Sequence, residues 1–179
     1  MAGAFTFAFS GLQYRFDWQS VWTYRENFAR GFLMTIVISI FSLALSMLLG
    51  LLVGVGSRSR MLLLRFLTRG YVEVIRGTPL LVQILIFFYV VANSLGVQNR
   101  YVVGVFIMAL FSGAYVSEIV RAGIESVGET QLESARSLGL TNLQTYRHVI
   151  FPQVVRRILP PLAGQFASLI KDSSLLSII

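Results

Sequence analysis

The sequence contains no cysteine, one histidine, one lysine and few charges of either sign. Each lack removes a class of function. Without thiols there is no disulfide framework, no cysteine-built zinc cluster and no thiol chemistry. His148 has no second ligand of suitable type near it, so it reads as structural and no metal site is expected. The single lysine, Lys171, follows Ile170, so no G-x-x-x-x-G-K-[ST] phosphate loop exists in this chain. Any ATP and Mg that drive it must be bound by another subunit; no cofactor is expected here. Charged residues make up 13% of the 179 residues, against about a quarter in soluble domains. Hydrophobic residues make up 55% and mean hydropathy is +0.72. The net charge of +7 would suit nucleic acid if the cations formed a patch with interleaved aromatics. The arginines lie instead in short polar breaks between apolar runs, the pattern that orients membrane proteins. Nucleic acid is not an expected partner; membrane lipid is. The composition is that of an all-α, polytopic membrane bundle.

Residues 1–30 lack the basic start, apolar middle and small-residue cleavage pattern of a signal peptide. They are expected to be an external lead-in to a transmembrane domain over 31–179. The clearest span, residues 32–55, carries no charge and exceeds the roughly 20 residues a bilayer core requires. Gly31, Thr35, Ser39, Ser42, Ser46, Gly50 and Gly54 recur on one of its faces, and such faces let helix backbones approach closely in lipid. Residues 56–77 interleave Arg58, Arg60, Arg65, Arg69 and Arg76 with leucines and aromatics, a mixture suited to an amphipathic segment at the interface. Arg76 has Glu73 as a local partner.

Thr78-Pro79 is expected to open a second span, 79–95, with threonine as N-cap and proline at the first helical position. A turn over 93–100 leads to a third span from Tyr101 to at least Ser117, with a small face of Ala109, Gly113 and Ser117. Glu118 and Arg121 close it as an i,i+3 pair. The last apolar stretch, 158–179, would be a fourth span, interrupted by Lys171-Asp172. The 56–77 segment holds five arginines and 121–157 holds Arg121, Arg136, Arg147, Arg156 and Arg157, against Arg15, Arg25, Arg30 and Arg100 on the other side. That asymmetry places both arginine-rich loops in the cytoplasm and the N-terminus outside.

Within the second loop, about 125–152, Thr130-x-x-Glu133 and Thr141-x-x-Gln144 both fit capping boxes. Gly139 between them is a natural helix stop. The loop therefore reads as two short helices with a sharp bend. Leu132, Ala135 and Gly139 share one small apolar face, which fits either a groove on a soluble partner or the chain's own membrane domain.

Glu133-Ser134-Ala135, three residues, Gly139, nine residues, then Val149-Ile150-Phe151-Pro152 resembles the EAA motif of binding-protein-dependent ABC importer permeases, E-A-A-x(3)-G-x(9)-I-x-L-P. Ser134, Val149 and Phe151 depart from that pattern mildly. Stretches 74–83, 115–121 and 159–175 look like the polar amino-acid branch of the family, so the resemblance covers about residues 30–179. It implies an alternating-access permease with no catalysis of its own. It also implies a coupling helix, with Gln131, Leu132, Glu133, Ser134, Ala135, Arg136, Leu138, Gly139 and Leu140 facing an ATP-binding subunit. The implied partners are ABC ATP-binding subunits, a second permease chain (homo- or heterodimer) and an external solute-binding protein. The cargo would be a small polar amino acid, and the location a bacterial-type inner membrane. Family members usually have a fifth span, which would follow residue 179. Gln165, Ser168 and Asp172 share a face, and with Lys171 and Glu118 they are candidates for the substrate pathway or gate. A structural Lys171–Asp172 pair is the competing role. A permease for another solute and a homo-oligomeric channel or scaffold remain the alternative functions.

Overall fold

The computed structural model describes residues 18–179, all of whose regular elements are helical. The chain divides into two units, residues 1–34 and 35–179. The first contains α1 (Trp18–Thr23) and the opening turns of α2 (Arg25–Gly56). Helix thus begins inside the stretch expected to be a lead-in, whose residues 1–17 lie outside the described part.

In the second unit α2 continues, followed by α3 (Leu62–Gly77), α4 (Leu80–Leu85), which runs on as a π-helical stretch Ile86–Ala92, and α5 (Arg100–Glu125). Two short helices, α6 (Glu129–Ser137) and α7 (Asn142–Thr145), lead through a π-helical turn Tyr146–Ile150 into α8 (Phe151–Asp172) and a final 3-10 turn Ser173–Ile178. The wide turn stands just before Pro152. Proline has no N–H for the carbonyl four residues back, and the chain accommodates the loss by loosening the helix there rather than ending it.

Helix α5 is the centre of the unit. Its N-terminal half packs Val103, Ile107 and Met108 with Leu80, Ile84 and Leu169. Its C-terminal half packs Val116 and Val120 with Val127, Ile150, Val154, Ile158 and Leu162. Of the expected small face of α2, Ser39, Ser42, Ser46, Gly50 and Gly54 are buried, Thr35 is half-buried and Gly31 is exposed. A Cβ added at Gly50 would strike Val116, and one at Gly54 would lie 2.9 Å from the Ser117 carbonyl oxygen. Glycine there is a condition of backbone approach. Ser42 Oγ spans the same seam and donates to the Val105 carbonyl at 3.3 Å.

The span count differs from the expected four. Among the described residues, α2 and α5 are long and apolar enough to cross a membrane. A third span arises only if α3 and α4, which meet at a 108° bend, are taken as one broken crossing. Helix α8 begins at Phe151 instead of residue 158 and carries Arg156, Arg157, Lys171 and Asp172, so it does not join that set. Lys171 and Asp172 are its last two residues, and a 3-10 turn follows from Ser173.

The bend has a local cause that also corrects the expected role of Thr78. Helix α3 ends at Gly77, Thr78 is its C-cap and Pro79 is the N-cap of α4. Thr78 Oγ1 donates back to the Val74 carbonyl at 2.8 Å, so it closes one helix instead of opening the next. In a continuous helix the Ile75 carbonyl would accept from the N–H of residue 79, which proline lacks. The buried Gln83 replaces that donor: its Nε2 lies 2.7 Å from the Ile75 oxygen and 2.8 Å from Thr78 Oγ1.

Candidate functional site

Three polar features stand out from the apolar frame. The first is the corner between α6 and α7. Helix α6 starts at Glu129 with Gly128 as N-cap and no side-chain cap, so the expected Thr130–Glu133 box does not form. Thr130 lies two residues past the N-cap, too far into the helix to serve. The second box does form: Thr141 Oγ1 accepts from the Gln144 backbone N–H, and the Gln144 side chain accepts from the Thr141 N–H at 2.9 Å. Between them Gly139 adopts φ +73°. Its N–H donates to the Arg136 carbonyl at 2.9 Å and the Leu140 N–H to the Ala135 carbonyl at 3.1 Å. These two bonds are a Schellman closure, which a left-handed glycine permits.

The closure decides which face is free. Ala135 is 2% exposed, and Leu132 packs on the cluster around Val127 and Ile150. Of the small apolar face, Leu132 and Ala135 therefore rest on the chain's own bundle, and Gly139 does not. Gln131, Glu133, Ser134, Arg136, Leu138 and Gly139 face outward, and Leu140 is half-buried. Leu138 at 80%, Leu143 at 78% and Tyr146 at 60% exposure are the open apolar side chains from the turn to the start of the π-helical stretch, and Leu143 and Tyr146 border a recess shared with Leu51 and Val55 of α2. Leu143 and Tyr146 were not among the sequence candidates; apolar residues placed in a short polar segment were the available signal. The corner is tied to α8 by Gln153 Nε2, 3.4 Å from Gln131 Oε1, and by the Arg157 guanidinium, which donates to the Ser126 carbonyl. His148 Nδ1 lies 3.1 Å from the Gln144 carbonyl, a contact within its own helix.

The second feature is an ion cluster where α3 meets α5. Arg121 grips Glu118 with two parallel bonds, Nε and Nη2 each at 2.9 Å, the stronger bidentate form of such a pair. Arg121 also meets Glu125 at 2.6 Å, and Glu125 meets Arg58 at 3.6 Å. The i,i+3 pair is thus present. Arg76, expected beside Glu73, instead pairs with Glu118 at 3.2 Å and stacks over Tyr115. The 108° bend carries the end of α3 onto α5, and that tertiary contact overrides the local option. A cavity of about 390 Å³ opens here, lined by Arg69, Glu73, Arg76, Glu118 and Arg121 among others. Of its carboxylates, Glu118 is held by two arginines and so ties α3 to the central helix, while Glu73 is exposed and enters no ion pair among the described residues.

The third is the polar face of α8. Gln165 Nε2 lies 3.4 Å from the buried Ser112 Oγ on α5. Ser168 and Lys171 are exposed and Asp172 is half-buried. Asp172 enters no ion pair among the described residues, so the expected Lys171–Asp172 or interhelical pair is not formed. Glu118 belongs to the ion cluster and is not brought together with this face. No group of residues suited to hold a metal occurs among those described.

The model for binding-protein-dependent transport system inner membrane components matches residues 46–179. A probable glutamine ABC transporter permease of Bacillus subtilis is 36% identical over 157 residues, covering 86% of this chain and 73% of the relative. The glutamine transport system permease of Escherichia coli K12 is 34% identical over 168 residues, covering 92% and 76%. The L-cystine transport system permease of Bacillus subtilis is 40% identical over 159 residues, covering 89% and 67%. The crystal structure of an amino acid ABC transporter with histidines matches with a TM-score of 0.84 at 36% identity, covering 92% of this chain and 77% of that one. The chain belongs to the family of binding-protein-dependent transport system inner membrane components. It is a multi-pass permease subunit of an ABC importer, a transport component rather than an enzyme, and it works with ATP-binding subunits and a solute-binding protein.

Proposed function

We propose that this permease carries polar amino acids inward, pairing with a second permease chain and alternating between outward- and inward-open states. ATP and Mg act in the partner ATPase, which seats on the α6–α7 corner. The observation that carries the coupling role is the closed corner itself. Its buried side fixes it to the bundle through Ala135 and Leu132, while Leu138, Leu143 and Tyr146 stand exposed from the turn onward. Open apolar side chains of that kind are best covered by a cleft in a soluble partner. The polar flank of Glu133, Ser134 and Arg136 would border the same contact. The cargo class is supported by the names of relatives that transport glutamine and cystine. The pathway would pass the Gln165, Ser168 and Asp172 face, where a carboxylate can meet an α-amino group. The corner and the α3 arginines lie on the cytoplasmic side in this reading, with the N-terminus outside, supported by the arginine asymmetry.

The test is co-purification. A tagged chain should bring a P-loop ATPase out of membranes, and Leu138→Glu with Leu143→Glu should lose it without loss of membrane yield, because both side chains are free of the core. ATPase retention by the double variant would move the contact elsewhere.

A further inference from the structure

We propose that the arginine-flanked outer face of α3 is a binding site for an anionic phospholipid. The headgroup phosphate sits between Arg65 and Arg69, and the upper acyl chain lies on Leu62, Leu63 and Phe66. The proposal requires only that α3 meet a bilayer and is independent of cargo and ATPase.

The helix has two unlike sides. Thr68 and Ile75 are buried, and Tyr71 reaches α5 through a hydrogen bond to the Leu110 carbonyl. Turning 100° per residue, Arg65, Arg69 and Arg76 fall in one stripe along the flank. Beyond that stripe Leu62, Leu63, Phe66 and Leu67 present an apolar face over the first turns of α3, and Val74 extends it beside the exposed Glu73, the five apolar side chains standing at 58–76% exposure. An open recess of about 550 Å³ is bounded by Leu62, Leu63, Arg65, Phe66 and Arg69. It joins two cations one helical turn apart to the apolar face in a single concavity.

Charge selects the occupant. Arg76 is committed to Glu118 and Arg58 to Glu125. Arg60, Arg65 and Arg69 form no ion pair among the described residues. Glu73 stands one turn beyond Arg69 and borders a cavity with it, without an ion pair between them among the described residues. No aspartate or glutamate occurs in residues 27–72, so Arg60 and Arg65 have no acidic residue near them in sequence. An apolar face bordered by uncompensated arginines fits a molecule with an anionic head and a hydrocarbon tail. A zwitterionic lipid satisfies only the apolar half, and a soluble anion only the charged half.

The experiment uses the assembled transporter with dioleoylphosphatidylglycerol and dioleoylphosphatidylcholine as probes. Native mass spectrometry would count each lipid retained at equal concentration, and a photoactivatable phosphatidylglycerol would map the contact. Two arginines near a headgroup predict about a thirtyfold preference for phosphatidylglycerol, weakening with salt, and cross-links within residues 60–69. Arg65→Gln with Arg69→Gln should abolish the preference, while Arg147→Gln with Arg156→Gln, which removes as much charge elsewhere, should keep it. If the first double variant does not accumulate, the wild-type preference and cross-link map decide the matter alone, with Arg65→Lys and Arg69→Lys retaining binding. Equal retention of both lipids, cross-links elsewhere, equal loss in the control, or capture of a second permease chain at this face would overturn the proposal.

Discussion

Substitution at Gly139 separates a backbone requirement from a packing one. Nothing lies within 4 Å of the position a Cβ would take there, so the chain itself offers no steric objection to a side chain. The objection comes from φ +73°. Holding an L-residue in the left-handed region costs about 1–2 kcal/mol, with asparagine below that range and a β-branched residue at its top. Since 1.4 kcal/mol is tenfold in an equilibrium, alanine and valine should shift the closed corner towards an open one by roughly 5–30-fold. The two bonds from Gly139 and Leu140 into the end of α6 are what would be lost. Solute-stimulated ATP hydrolysis by the assembled complex should therefore fall in the order Gly, Asn, Ala, Val, with basal hydrolysis and membrane yield unchanged. Wild-type stimulation in Gly139→Val would refute the coupling role. Asparagine as damaging as valine would refute the backbone explanation and point to a partner surface filling the space.

Three further outcomes are expected. Gln83→Leu should lower the thermal midpoint of the purified protein by the equivalent of about 1–3 kcal/mol, because the Ile75 carbonyl loses the side-chain donor that replaces the missing proline N–H; an unchanged midpoint would mean the bend is held elsewhere. Cysteines introduced at Ser137 and Asn99 in this cysteine-free chain should react with an impermeant maleimide only from the cytoplasm and only from outside, respectively, and the opposite pattern would invert the topology. Asp172→Asn should reduce amino-acid uptake with yield and melting temperature preserved, since no ion pair depends on this carboxylate; unchanged uptake would remove it from the pathway.

What was legible in the sequence was local or periodic. The small face of α2 could be read because its spacing of three and four is a property of the helix alone. Gly139 and the Thr141–Gln144 box were readable because their partners lie within a few residues. The misread positions depended on more distant groups. Thr78 looks like an N-cap, yet Gln83 and Pro79 make it the end of the preceding helix. Thr130 fits a capping box by type, but the helix starts one residue earlier. Arg76 has Glu73 within reach along the chain, and only the 108° bend brings Glu118 to it. Leu132 and Ala135 form the face that periodicity indicated, but whether that face meets a partner or the bundle is a tertiary question, and here it meets the bundle. Leu143 and Tyr146 came to notice only through exposure.

The central claim is tested most directly in proteoliposomes that contain the permease, its ATP-binding subunits and its solute-binding protein. ATP supplied on the face that bears the α6–α7 corner should drive accumulation of labelled glutamine or another polar amino acid. Hydrolysis should rise only when loaded binding protein is on the opposite side. Uptake that proceeds without the ATPase, or that favours a sugar over every amino acid tried, would contradict the account.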